Sequence, residues 1–83
     1  MPARLLTACG AGQEVEVVRV SDANPDILRF LADRGIVVGS ALKVVAPMTT
    51  TGLMTIRHRG SDIELSAPIA TAIHVVADVL RTD

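Results

Sequence analysis

The chain has 83 residues, enough for one domain at the small end of what folds unaided. Half of it is hydrophobic (49%), yet it has one Phe and no Tyr or Trp, so any core must be built from Val, Ile, Leu and Ala. Eight basic and nine acidic residues are interleaved and give a net charge of −1. That balance leaves no basic face for phosphates and no polybasic membrane anchor, which argues against direct nucleic-acid or membrane binding.

Met1 to Gly12 reads as a linker segment in which Leu5 and Leu6 tuck against the rest of the domain and Gly10-Ala11-Gly12 marks a turn. Leu6-Thr7-Ala8-Cys9 looks like a lipoprotein cleavage box, but only eight residues precede Cys9 and they hold no apolar stretch of the required length. One cysteine allows no internal disulfide and suits a reducing compartment. Gln13 to Ser21 is the first predicted strand. Val15 and Val17 alternate with Glu14 and Glu16, and the phase slips at Val17-Val18, as a β-bulge would make it.

Asn24 to Gly35 reads as one short helix. Asn24 is the predicted N-cap, Pro25 fits the first helical position and Asp26 suits the positive end of the helix dipole. Ile27, Leu28 and Leu31 form the apolar stripe, and Arg29 and Asp33, four apart, are placed to pair. Gly35 supplies a left-handed stop, after which Ile36 folds back on the helix end and Gly39-Ser40 turns the chain again.

The second strand is Ala41 to about Ala46, ended by Pro47, and the third is Leu53 to Arg59. Gly60-Ser61 suits a type II′ hairpin loop leading into a fourth strand, Asp62 to Leu65. That loop pairs Arg59 with Asp62, His58 with Ile63, Arg57 with Glu64 and Ile56 with Leu65. Ser66 to Ala70 reads as a helical corner, Ala72 to Val76 as the fifth strand and Ala77 to Asp83 as a frayed end. The apolar run from Ile69 to Leu80 is too short to span a bilayer. The predicted fold is therefore mainly β: a small, five-stranded, partly open barrel with one short helix between strands 1 and 2.

Catalytic constellations are absent from the pattern. His58 and His74 fall on separate strands and read as sheet residues; Cys9 reads as a small hydrophobe or an exposed thiol. Gly10 and Gly12 form G-x-G ahead of a strand, the wrong context for a dinucleotide loop. No catalytic residue and no cofactor-binding residue is expected, and the chain is not read as an enzyme. Groove binding of proline-rich peptides needs aromatic walls, and Phe30 is the one ring available, so a proline-rich linker is not an expected ligand.

Val17 to Ser40, VVRVSDANPDILRFLADRGIVVGS, resembles the start of a FeoA-type, SH3-like domain, and Arg57 to Val75, RHRGSDIELSAPIATAIHV, resembles its closing hairpin, corner and last strand. The resemblance implies an SH3-like barrel over residues 13–77, between a linker (1–12) and a tail (78–83). Such domains form the C-terminal part of iron- or manganese-dependent transcriptional repressors of the diphtheria-toxin-repressor type, and also occur as stand-alone FeoA proteins of ferrous iron transport. The run D-A-N-P-D-I-L-R-F-L is closer to the repressor branch.

That branch implies a cytoplasmic, non-catalytic docking domain whose partners are the other domains of the same repressor. Fe(II) or Mn(II) would be bound by the parent and not by this domain. A membrane partner follows only from the stand-alone alternative. In some of these repressors the start of the helix lends a carboxylate and an amide to an ancillary metal site. The corresponding positions are Asn24 and Ile27; Ile27 cannot ligate, which leaves Asp22, Asn24 and Asp26 as weak metal candidates. A metal-storing or redox domain using Cys9, His58 and His74 is a third possibility, and it requires those side chains to converge.

Overall fold

The computed structural model describes residues 3–77, which form one six-stranded antiparallel sheet with a short helix over it. In chain order the elements are β1 (Arg4–Leu5), a 3-10 turn (Leu6–Ala8), β2 (Glu14–Val20), α1 (Pro25–Asp33), β3 (Ala41–Ala46), β4 (Leu53–His58), β5 (Ser61–Ser66), α2 (Ala67–Ala70) and β6 (Ile73–Ala77). The strand order is β1-β6-β2-β3-β4-β5, with no pairing between β5 and β1 among the described residues, so the sheet curls without closing. This is the mainly β, partly open SH3-like architecture expected from the sequence.

The expected fifth strand corresponds to β6, and the sixth strand is an addition. Arg4 and Leu5 pair with Val75 and His74, and Leu6 behind them is fully buried. A two-residue strand carries too little periodicity to be read from sequence. Cys9 is 3% exposed and belongs to the core with Leu6, so the apparent cleavage box is packed structure. The predicted tail from residue 78 lies outside the described residues, while Ala77 closes β6.

The core follows from period-2 alternation on the inner face: Val15 and Val17 from β2, Leu42 and Val44 from β3, Met54 and Ile56 from β4, Leu65 from β5, Ile73 and Val75 from β6. All are aliphatic or Met. Phe30 only packs against the edge of this cluster, with the Arg34 guanidinium 3.6 Å above its ring centre. In β2 the register shifts between Val17 and Arg19, so Val18 is the extra residue of a bulge where the sequence loses phase. A second shift between Val44 and Ala46 leaves Val45 half-exposed.

The helix has the expected limits. Asn24 Oδ1 accepts the Asp26 N–H at 2.9 Å, and Pro25 opens the first turn. At the other end the Ile36 N–H reaches Leu31 O (2.9 Å) and the Gly35 N–H reaches Ala32 O (3.0 Å), with Gly35 at φ +74°. These two bonds define a Schellman stop, and the buried pair Leu31 and Ile36 is its hydrophobic contact. The predicted Arg29–Asp33 pair does not form an ion pair; the contact made on this surface is Arg34 donating to Phe30 O.

The β4–β5 hairpin corrects the predicted register. The loop is Arg59-Gly60, with Arg57 opposite Asp62, His58 opposite Ser61, Ile56 opposite Ile63 and Thr55 opposite Glu64. Both loop residues have positive φ, Arg59 at 53° and Gly60 at 81°, as a type I′ turn requires. The physical reason lies at the far end of the ladder. The Gly60-Ser61 loop would set Leu53 opposite Pro68, which has no N–H to donate. The observed register ends instead on Leu53–Ser66 and uses both strands to their ends. The shift is by two residues, so Ile56, Ile63 and Leu65 keep the inward face expected of them.

Candidate functional site

The sequence-derived metal candidates lie together at the start of α1 but build no ion site. Asp22, Asn24 and Asp26 are exposed, and Asn24 Oδ1 is occupied as the cap. A small hollow of about 210 Å³ beside them is lined by Ser21, Asn24, Ile27 and Thr71, with no carboxylate in its wall. Among the described residues no three His, Cys, Asp or Glu side chains form a group able to hold a metal ion. His58, His74 and Cys9 do not make one: His58 ends β4, His74 is in β6 and Cys9 follows the 3-10 turn.

The built feature of the surface is the connection from α1 to β3. The Ser40 hydroxyl ties this loop together, accepting the Val37 N–H at 2.9 Å and donating to Gly35 O at 3.3 Å. Backbone bonds fasten it to β2, with Gly39 N–H to Val17 O (2.7 Å) and Val17 N–H to Ser40 O (2.9 Å). Pinned in this way, the loop holds Val37 and Val38 outward at 54% and 63% exposure.

His58 lies beneath the same loop. It is 6% exposed, its Nδ1 is 3.3 Å from Ala41 O, and its buried Nε2 has no hydrogen-bond partner. The tautomer with the proton on Nδ1 donates to Ala41 O and leaves Nε2 as a bare lone pair. Gly35 covers that nitrogen: a Cβ added there would lie 3.7 Å from it. A cleft of about 490 Å³ opens here, lined by Val37, Val38, Ser40, His58 and Arg59 among others. The sequence places His58 in the sheet, as found, but does not reveal the cleft, whose one advance signal is the pair of β-branched apolar residues between the turn glycines Gly35 and Gly39.

Charge on the outer face is arranged in a row. The registers align Glu14, Lys43, Arg57 and Asp62 across β2 to β5. Arg57 Nε donates to Asp62 Oδ1 at 2.8 Å, and this hydrogen bond, reinforced by the opposite charge, holds the Asp62 carboxyl below the usual aspartate range. Burial pushes the Cys9 thiol up, against a smaller opposing effect of Arg4. No helix of the described residues is long and apolar enough to cross a membrane.

A half-open aliphatic sheet of six strands, with one capped helix between its second and third and no reactive cluster among the described residues, defines the SH3-like class of small domains. The chain belongs to the FeoA domain family, whose sequence pattern matches residues 4–77. A solved manganese-dependent transcriptional repressor is similar at 39% identity over 92% of this chain and 42% of its own, with a TM-score of 0.86. A repressor structure described as in complex with manganese gives 40% identity over 93% of this chain and 37% of its own, also at 0.86. A FeoA-like protein from Clostridium acetobutylicum shares the fold at a TM-score of 0.82 and 19% identity, over 100% of this chain and 95% of its own. The chain thus spans about two fifths of the length of the repressors it matches. No curated protein sequence gives a significant match.

Proposed function

We propose that residues 4–77 are the C-terminal regulatory domain of an iron- or manganese-dependent transcriptional repressor. The domain is non-catalytic and cytoplasmic, and acts by docking on the other domains of the same protein. The observation that carries this reading is the 39–40% identity to manganese-dependent repressors across more than nine tenths of the chain. The surface is consistent with docking: it offers a pinned apolar loop and no convergent reactive groups among the described residues. Metal, as Fe(II) or Mn(II), belongs in this reading to the parent repressor's other domains, and this domain contacts neither operator DNA nor membrane.

Docking that favours one arrangement of the DNA-binding dimer shifts its population by the difference in contact free energy, and a coupling of about 1–3 kcal/mol changes affinity roughly 5- to 150-fold. The test is operator affinity of the parent repressor with and without residues 4–77, across a Mn(II) titration. A shift in the half-saturating metal concentration supports the reading; superimposable curves contradict it. The alternative, which the FeoA family match over residues 4–77 equally allows, is a stand-alone FeoA-type accessory protein of ferrous iron transport. It predicts binding to a membrane ferrous-iron transporter and no effect on any operator.

A further inference from the structure

Val37 and Val38 are the most exposed large hydrophobic side chains among the described residues. Both are β-branched, with little rotamer freedom to lose, and both sit on a loop already fixed by Ser40 and by β2. They form a ridge between two depressions. One, of about 360 Å³, is apolar and includes Val20, Leu28 and Ile36 in its wall. The other is the cleft of about 490 Å³ over His58, which has Arg59 in its wall and no carboxylate. Arg59 also borders an adjoining hollow of about 250 Å³ together with Lys43, Arg57 and Glu14.

The three cations of this edge are not equivalent. Arg57 is bonded to Asp62, whereas Lys43, opposite Glu14 in the register, forms no ion pair with another described residue. Arg59 is in no ion pair with another described residue. Its φ of +53° puts a long charged side chain where Gly, Asn or Asp fits a type I′ turn better. A strained residue whose side chain borders a cleft is where strain and function coincide.

We propose that the Val37–Val38 ridge and the Arg59 cleft are the face by which this domain docks, and that they take an acidic segment with an apolar anchor from the domains on which it docks. The anchor packs against the valines in the cleft above His58, and a neighbouring carboxylate pairs with Arg59. Charge complementarity selects this occupant, since the cleft wall contains a cation and no anion. Lys43 and Arg59 beside an apolar ridge, with Arg57 already bonded to Asp62 and Glu14 in the wall of the same hollow, do not make the strip of cations that a phosphate backbone needs. The inference rests on the docking role proposed above and adds which face docks and what chemistry it accepts.

The test uses the isotope-labelled 83-residue chain and an acetylated, amidated ten-residue peptide of leucine and glutamate, with a leucine–lysine peptide as control. The expected result is NMR shift changes centred on residues 37–41 and 58–60 with the acidic peptide only. Val38→Ser, at an exposed position, weakens binding by a factor on the order of five or more. Arg59→Asn weakens it by a similar factor, roughly fivefold, while keeping or raising the melting temperature, because Asn accepts the left-handed turn. Equal binding of the lysine peptide, unchanged affinity of both variants, or shifts on another face would overturn the proposal. Self-association of the chain that Val38→Ser abolishes would also overturn it, by giving the ridge to a second copy. If the other domains of the repressor proposed above bind elsewhere on it, the docking role survives and this site falls. If the acidic peptide binds here and those domains do not bind at all, the site survives and the repressor role falls.

Discussion

Replacing Gly35 with Ala isolates the backbone term at the helix stop. Gly35 is at φ +74°, in the left-handed region, and gives its N–H to Ala32 O while positioning Ile36 to reach Leu31 O. An L-residue there costs roughly 1–2 kcal/mol, part of which is offset because Ala narrows the unfolded ensemble by about 0.4–1 kcal/mol. Sterics add little, since the new Cβ would meet only His58 Nε2 at 3.7 Å, an ordinary contact. The expected net loss is about 1 kcal/mol, or roughly 4–8 °C in melting temperature for a domain of this size. With no Trp or Tyr in the chain, the assay is thermal unfolding by far-ultraviolet circular dichroism. Gly10→Ala is the control. Gly10 is not among the positive-φ glycines, and its Cβ would meet only Gln13 Oε1 at 3.9 Å, so the change should stay within about 0.5 kcal/mol of wild type. A Gly35→Ala protein that melts with the wild type, or a Gly10→Ala protein that loses as much, would refute the reasoning.

Three further outcomes are expected. Asn24→Ala removes the side-chain acceptor of the Asp26 N–H and should cost about 1 kcal/mol in urea unfolding, whereas Asn24→Asp should restore the cap; equal midpoints for all three proteins would contradict the capping role. Asp62, hydrogen-bonded to Arg57, has a native pKa below its unfolded value. Its contribution to stability is therefore full above the ordinary aspartate range and fades as pH falls through the lowered native value. Arg57→Gln should return the Asp62 titration, monitored by carbonyl NMR, to the ordinary range, and an unmoved titration would break the link. Cys9, buried with a raised thiol pKa, should resist Ellman's reagent in the native state and react on unfolding; rapid native labelling would mean the core is open at the 3-10 turn.

What could be read in advance tracks where local chemistry decides structure. The helix limits were legible because Asn24-Pro25 and Gly35-Ile36 each carry a specific backbone requirement. The bulge at Val18 was legible because a lost phase in an alternating strand has few other causes. The sequence pattern leaves the hairpin loop one residue off because a two-residue register shift keeps every side chain on its face, so alternation cannot distinguish the two pairings. Only Pro68 at the far end of the ladder does so. The candidate site was the least legible part. Val37, Val38, His58 and Arg59 come together through the α1–β3 loop folding over the end of β4, a long-range contact with no local signature. Asp22, Asn24 and Asp26 are conspicuous as oxygen donors, but the Asn24 oxygen is taken by the helix cap.

The central proposal, a docking domain of a metal-responsive repressor, is met most directly by titrating isotope-labelled domain with the DNA-binding and dimerisation domains of the repressor to which that reading assigns it, with and without Mn(II). A docking domain gives localised amide shift changes whose apparent affinity differs between the two metal conditions. Spectra that stay unchanged in both, at concentrations well above a millimolar dissociation constant, would contradict it.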